Sequence, residues 1–361
     1  MIPLLTIGSN GLARSAERQC DPDTELTYSK AGVDVRKIRR LQLDIDEILA
    51  DTFATRRGKF GQVLNLRQHY AGLIDIGKDL ALALHVDGVG TKVLVAHRLG
   101  EYRTVGIDCV AMNVNDLICV GAEPVALIDY LALEKPDSKL VSELVRGLRR
   151  GAKEAGVAIV AGETAIMPDL VNGFDLSAMS IGIVQKRKIV DGSKIEVRDS
   201  IIGLPSSGIH SNGLTLARKA LFKKRFDRRL AKELLKPTKI YVEPILRLLN
   251  SGVEIHGLAH ITGGAFSKLR RIGERAHVGF RLDKLFKPHG IFKVIQERGN
   301  ISDREMYRTY NMGTGFLVIC PRKERSRVLG LLKEAKEVGE VTAERKVTVK
   351  VDSRLIEVER W

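Results

Sequence analysis

The chain has 361 residues, 44% of them hydrophobic and 29% charged, a length that favours two domains and permits a sizeable core. Its 59 Lys and Arg against 44 Asp and Glu give a net charge of +15, which suits nucleic acid and phosphorylated small ligands equally. No apolar run approaches the roughly 20 residues that span a bilayer, MIPLLTIG lacks a basic start, and Cys20, Cys109, Cys119 and Cys320 form no CxxC, so neither a membrane span, a zinc site nor a disulfide framework is expected and the chain reads as cytoplasmic.

Residues 1–25 show no sustained period and read as a disordered extension. The segment VRKIRRLQLDIDEILADTFA then repeats apolar residues at Ile38, Leu41, Ile45, Ile48 and Leu49, the pattern of a helix packing one face on a core. Two apolar runs in GLIDIGKDLALALHVDG, split by Gly-Lys-Asp, predict a hairpin whose second strand ends on Asp87. After the turn DGVGTK, the run GIDCVAMNVNDLICVGAEP is helical, with Cys109, Asn113, Asp116 and Val120 on one face. The strand PVALIDYLALE carries Asp129, a helix follows that stops at Gly156, and the strand VAIVAG delivers Glu163. FDLSAMSIGIVQK closes this half, and the turn-rich text after it places a domain boundary near Lys188.

The second half opens with IIGLPSSGIHSNGLTLARKAL, a strand, a Gly/Ser turn and a helix whose first amides make an anion site. His210 lies inside that turn, placed either for acid–base work or for holding the loop by hydrogen bonds. HGLAHITGGAFSKL repeats strand, glycine turn and helix at Gly263 and Gly264, and His256 and His260 read as packing or capping residues. The basic run RKALFKKRFDRRLAKELLKP mixes cations with apolar residues at helical spacing, which describes a solvated helix face and no specific nucleic-acid site. EMYRTYNMGTGFLVIC joins a polar turn to a strand, and the remainder reads as a helix followed by terminal strands.

The chemistry concentrates between Asp87 and Tyr130. An amide (Asn113) and a carboxylate (Asp116) one helical turn apart can face Asp87, beside a lysine and a bare glycine turn, which suits a hard cation carrying nucleotide phosphates. DGVGTK lacks the GxxxxGK[ST] spacing and is no P-loop, and a strand-end Asp-Gly also serves as a plain turn.

These motifs, with LIDYLALEKPD, GETAIMPD, GLPSSGIHSNGLTLARK, LKPTKIYV, HGLAHITGGAF and EMYRTYNMGTGF in order, resemble the aminoimidazole ribonucleotide synthetase family from about Tyr28 onwards. The resemblance implies a mixed α/β (α+β) chain of two domains: an N-terminal mixed-sheet domain over 26–187 that binds ATP and pairs as a homodimer, and a C-terminal α/β substrate domain over 188–361. It implies ATP-dependent cyclisation of formylglycinamidine ribonucleotide to aminoimidazole ribonucleotide, with ADP and phosphate as the other products. By the same resemblance Asp87, Asp116 and Glu163 would hold Mg2+, and Gly88, Gly90, Thr91, Lys92, Asn113 and Asp129 would form the nucleotide site. His210 would be catalytic, and Ser206, Ser207, Gly208, Ser211, Asn212, Gly263 and Gly264 would receive substrate phosphate or ribose. Departures are the sparse glycines Gly58 and Gly61, Ala265 in place of a third glycine, and Thr314 at a usually apolar position. Enzymes of the same scaffold, selenophosphate synthetase and thiamine monophosphate kinase among them, are the alternatives, with a basic nucleic-acid-binding protein on that scaffold behind them.

Overall fold

The computed structural model describes residues 25–64 and 69–359; Cys20 and all but the last residue of the expected 1–25 extension lie outside the described residues. The first half runs α1 (Val35–Leu49), β1 (Val63–Leu64), β2 (Gly72–Gly77), β3 (Leu80–Gly88), α2 (Lys92–Leu99), α3 (Arg103–Ile118), β4 (Glu123–Leu133), α4 (Ser138–Ala155), β5 (Ala158–Ile166) and β6 (Phe174–Gln185). Its strands form one sheet in the order β1-β2-β3-β6-β4-β5. The hairpin is present: β2 and β3 are antiparallel, turning through Lys78 and Asp79 at φ 49° and 61°. β6 runs antiparallel between β3 and β4, and α4 carries the crossover to β5, which is parallel to β4.

The second half runs β7 (Ser200–Pro205), α5 (Leu214–Leu221), α6 (Arg228–Leu234), α7 (Val242–Leu249), β8 (Gly257–His260), α8 (Lys268–Ala276), β9 (Gly279–Leu282), α9 (Gly290–Gly299), α10 (Asp303–Thr309), β10 (Thr314–Cys320), α11 (Arg325–Leu331), β11 (Lys336–Thr342), β12 (Val347–Val351) and β13 (Arg354–Glu357). Seven strands make a second sheet, β13-β12-β9-β11-β7-β10-β8, antiparallel except for β12 against β9. The architecture is thus mixed α+β with two mixed sheets, as the alternation of strand and helix text predicts. No described helix is long and apolar enough to cross a membrane.

α3 is the axle of the molecule. Every residue from Val105 to Ile118 is buried, because one side lies on the first sheet, another on α4, and a third on α7 and β8 of the second half. Its contact with α4 is backbone to backbone at Gly106 and Gly147, where an added Cβ would meet main-chain atoms of the facing helix. A helix enclosed on all sides cannot leave its polar side chains unpaired. They therefore grip the second half: Asp108 Oδ1 accepts from the Thr238 amide (2.7 Å) and hydroxyl (2.6 Å), and Asn115 bonds the Tyr241 amide and the Lys239 carbonyl, each at 2.9 Å.

Two elements differ from the sequence expectation. α1 forms, capped by Asp34, but buries none of its residues; Leu41 and Ile48 are 60% and 71% exposed, since the helix leans on the 3-10 turn after it and not on either sheet. The basic run is not one solvated helix. α5 ends at Leu221, and Asp227 accepts from the amides of Arg229 and Leu230 to start α6, so the cations between fold around a turn holding Phe222 and Phe226.

Candidate active site

β3 ends on Gly88, one residue past Asp87, because the chain must turn there to enter α2. That end is fastened to α3 by Asn113, whose Oδ1 accepts from the Asp87 amide and whose Nδ2 donates to the Asp87 carbonyl, both at 3.1 Å. Nδ2 also reaches the Cys109 carbonyl at 2.9 Å. Asn113 is therefore a bracket that aims the Asp87 carboxylate, and its amide is not turned toward a nucleotide.

One turn further along α3, Asp116 faces the same space. Nitrogen or oxygen atoms of His85, Asp87 and Asp116 all lie within 4.8 Å of one another. His85 and Asp87 share a face because they are two apart on one strand. His85 Nδ1 sits 2.6 Å from the Tyr70 carbonyl and so carries the proton it donates, leaving Nε2 toward Asp116 Oδ2, 3.6 Å away, with no hydrogen-bond partner. Across the domain junction His260 Nδ1 donates to Asp116 Oδ1 at 2.7 Å, and Lys268 Nζ stands 3.9 Å from Oδ2. Burial alone would raise the Asp116 carboxyl; Lys268, His260 and His85 outweigh it and hold it well below the usual carboxylate range. Asp87 goes the other way, raised by burial and by Asp116 beside it. Burial keeps His260 neutral against the pull of Asp116, so that contact is a hydrogen bond and not an ion pair.

A buried carboxylate held ionised, a second one raised by its neighbour, and an imidazole with an unpartnered nitrogen form a donor set that a divalent cation would complete. Two carboxylates beside a site for nucleotide phosphates is the way magnesium is commonly held.

Glu163 does not join this cluster. Asp87 and Asp129 both pair with Ala178 of β6, and Asp129 pairs with Gly162, so the two aspartates lie in one row on the α3 face of the sheet. Glu163 pairs with Tyr130 one register step later and projects from the opposite face, where it is exposed. Asp129 stands two strand spacings from Asp87, about 9–10 Å. Its carboxyl, raised by burial, lies against Gly162, where an added Cβ would come within 2.6 Å of Oδ1.

Lys92 also departs from expectation. It has no solvent exposure, and its ammonium pairs with Asp108 Oδ2 (2.8 Å) and donates to the carbonyls of Lys236 (2.8 Å) and His210 (3.2 Å). All three donors are engaged, so Lys92 joins the two halves and does not reach phosphate. The turn before it keeps an open approach: an added Cβ on Gly90 would meet nothing within 4 Å, Gly88 donates to Asp87 Oδ1 at 2.8 Å, and Thr91 Oγ1 lies 2.9 Å from Thr215 Oγ1 of α5.

Thr215 belongs to the helix that follows the Gly/Ser turn, so the two glycine turns meet edge to edge. Three loops interlock there. Ser206 Oγ donates to Asn311 Oδ1 (2.9 Å), Asn311 Nδ2 to the Gly208 carbonyl (2.9 Å), Ser207 Oγ to the Pro237 carbonyl (2.6 Å), and Asn212 Nδ2 to the carbonyls of Thr309 and Thr262. Ser211 is within 3.5 Å of the Thr238 hydroxyl, Gly263 lies beside Asn212, and Gly264 turns the chain at φ 82°. Most of these side chains are engaged in shaping the loops. His210, at φ 61°, is fully buried; Nε2 accepts from the Ser207 amide at 3.3 Å, and burial holds its pKa well below the ordinary histidine value. That contact suits the loop-holding alternative. His256 is structural, bonded to Asp199 at 2.7 Å.

Sequence reasoning missed His85, Lys268 and Asn311, and its reading of His260 as a packing or capping residue did not include the bond to Asp116. The signal for His85 was its strand period with Asp87; nothing local could announce a partner 144 residues away for Asp116.

The family described as "AIR synthase related protein, N-terminal domain" matches residues 68–184, and its C-terminal counterpart residues 196–352. A "Phosphoribosylformylglycinamidine cyclo-ligase" of Thermococcus gammatolerans is 50% identical over 328 residues, covering 88% of this chain and 96% of the relative. One of Pyrococcus furiosus is 51% identical over 326 residues, 88% and 95%. Among solved structures, the hydrogenase maturation protein HypE in complex with ATP aligns at TM-score 0.59 and 16% identity, covering 78% of this chain and 85% of that one. AaThiL complexed with AMPPCP and TMP aligns at TM-score 0.58 and 17% identity, 80% and 90%; both show the fold alone. With both domains matched and half the residues shared over nearly the whole length of these relatives, the chain belongs to the phosphoribosylformylglycinamidine cyclo-ligase family of AIR synthase related proteins.

Proposed function

We propose that this chain uses ATP to close formylglycinamidine ribonucleotide into aminoimidazole ribonucleotide, releasing ADP and phosphate in purine biosynthesis. The observation that carries the reading is the meeting of an acidic cluster and its glycine turn in one domain with the Gly/Ser turn of the other, in a chain half identical to cyclo-ligases along almost their full length. In this reaction ATP phosphorylates the formyl amide oxygen, and the ribose-bearing nitrogen then attacks that carbon and expels phosphate. Magnesium bound at the cluster would neutralise the polyphosphate. Asp116, held ionised by Lys268 and His260, and Asp87, aimed by Asn113, would supply its oxygens, with His85 Nε2 within reach. The Gly88–Gly90 turn would admit phosphate to bare backbone, Asp129 would face the nucleotide from the same sheet row, and the α5 start beside Ser207 and Gly208 would receive the substrate phosphate.

A homodimer and a cytoplasmic location belong to the same reading. What supports the dimer is the sheet face turned away from α3, which leaves Val86 70% and Tyr130 39% exposed beside Glu163; a second copy covering it would enclose all three.

The test is turnover with ATP, formylglycinamidine ribonucleotide and a magnesium titration. Aminoimidazole ribonucleotide and ADP should form one to one. Asp87→Asn and Asp116→Asn should each lose most of that turnover while staying folded, with partial recovery at raised magnesium. Near-normal rates in both variants would remove the metal assignment, and ADP formation that depends on selenide or thiamine monophosphate would transfer the chain to another activity of the scaffold.

A further inference from the structure

The end of α2 farthest from the acidic cluster borders a separate cavity of about 630 Å³, walled by α5, the turn after it and the C-terminal end of α9. α2 lines it with Leu94, Val95 and Arg98, which lie about 3 to 9 Å along the helix from Lys92, and none of Asp87, Asp116 or the DGVGT turn is among its lining. Its volume falls in the range of about 300–1,000 Å³ typical of small-molecule sites. Its apolar wall is Leu94 with Phe222 and Phe226, whose rings are 4.9 Å apart, and the Arg98 guanidinium lies 4.2 Å over the Phe226 ring.

The rest of the lining is cationic. Arg218, Lys219, Lys223 and Arg298 face the cavity, and within the described residues none of the four has an ion pair or hydrogen bond to another side chain. Two cations near this wall are matched, Lys232 to Glu101 at 3.1 Å and Arg103 to Glu143 at 2.9 Å, whereas these four are gathered around one concavity. Glu25 is the single acidic residue among the described lining. Four unmatched like charges around one concavity repel each other unless an anion lies between them. An adjoining hollow shares Lys223, Phe226 and Arg298 and adds Lys224, Arg225 and Arg229, extending the positive surface for a longer anion.

From aromatic wall, volume and unmatched cations together, we propose that this cavity is a binding site for a nucleoside polyphosphate, distinct from the acidic cleft, with the base against Phe222 and Phe226 and the phosphates among Arg218, Lys219, Lys223 and Arg298. The two sites recognise phosphate by opposite chemistry. In the cleft, carboxylates need a divalent cation between themselves and the phosphates; in the cavity, arginine and lysine meet the phosphates directly. Binding in the cavity is therefore independent of magnesium.

The experiment is calorimetric titration of the full chain with ATP in excess EDTA, with no cyclo-ligase substrate present, so its outcome does not depend on the proposed reaction. One ATP should bind per chain at low salt, more weakly as salt rises, and Asp87→Asn should bind it equally well. Arg218→Gln with Arg298→Gln should weaken it at least about tenfold. Lys219→Gln with Lys223→Gln, at exposed positions where folding is not at risk, should do the same. Phe226→Ala should weaken ATP while leaving inorganic tripolyphosphate unchanged, and AMP should bind at least about tenfold more weakly than ATP. The proposal is overturned if no ATP binds in EDTA, if Asp87→Asn abolishes the binding, or if both glutamine pairs bind like the parent. A single-stranded RNA that binds the same cations far more tightly than any mononucleotide would also overturn it, in favour of a nucleic-acid surface.

Discussion

Lys92→Met separates a joining role from a phosphate-binding one. The ammonium is enclosed and makes three contacts, to Asp108 Oδ2 and the carbonyls of Lys236 and His210. Removing it leaves the Asp108 carboxylate buried with only Thr238 as partner and deprives two carbonyls of their donor. Breaking one side of a buried pair costs about 3–5 kcal/mol, and the hydrogen bonds Asp108 keeps from Thr238 place the loss toward the lower end. Urea unfolding should show a midpoint shift of that size. Asp108→Leu added to Lys92→Met should recover part of it, because the orphaned charge is then gone. A variant as stable as the parent, with weakened ATP affinity alone, would refute the burial argument and return Lys92 to the nucleotide site.

Gly162→Ala should fold normally, since the group its methyl meets is the end of the Asp129 side chain and not backbone, yet ATP affinity should fall as that carboxylate is displaced; unchanged affinity would remove Asp129 from the nucleotide site. Burial opposes protonation of His256, but Asp199 and Glu254 outweigh it and raise its pKa above 6.5. A raised folded pKa gives stability that is full below 6.5 and is lost as pH rises through the folded value, so the cost of His256→Gln should be larger at acidic pH than at alkaline pH, and a pH-independent cost in paired unfolding curves would contradict the assignment. Val86→Asp with Tyr130→Asp should leave a folded monomer on light scattering, and a dimer that survives both charges must use another surface.

How much of this was legible in the text follows from the range of each interaction. The β2–β3 hairpin, the strand carrying Asp87 to within one residue of its end, the face shared by Asn113 and Asp116, and Gly156 stopping α4 are set by residues within a few positions of each other, where strand and helix periods act. The family-like motifs carried the fold class for the same reason, since each is a turn and its flanking elements. Tertiary structure decided which way those groups look. Whether Glu163 faces the cluster depends on the register of β5 against β4, and one residue of register reverses a strand's faces. Whether Lys92 meets phosphate or Asp108 depends on α3 being enclosed between two domains, which its own sequence cannot announce. His260 gains its role from Asp116, 144 positions earlier in the chain, because burial leaves each of them no water and hence no alternative partner.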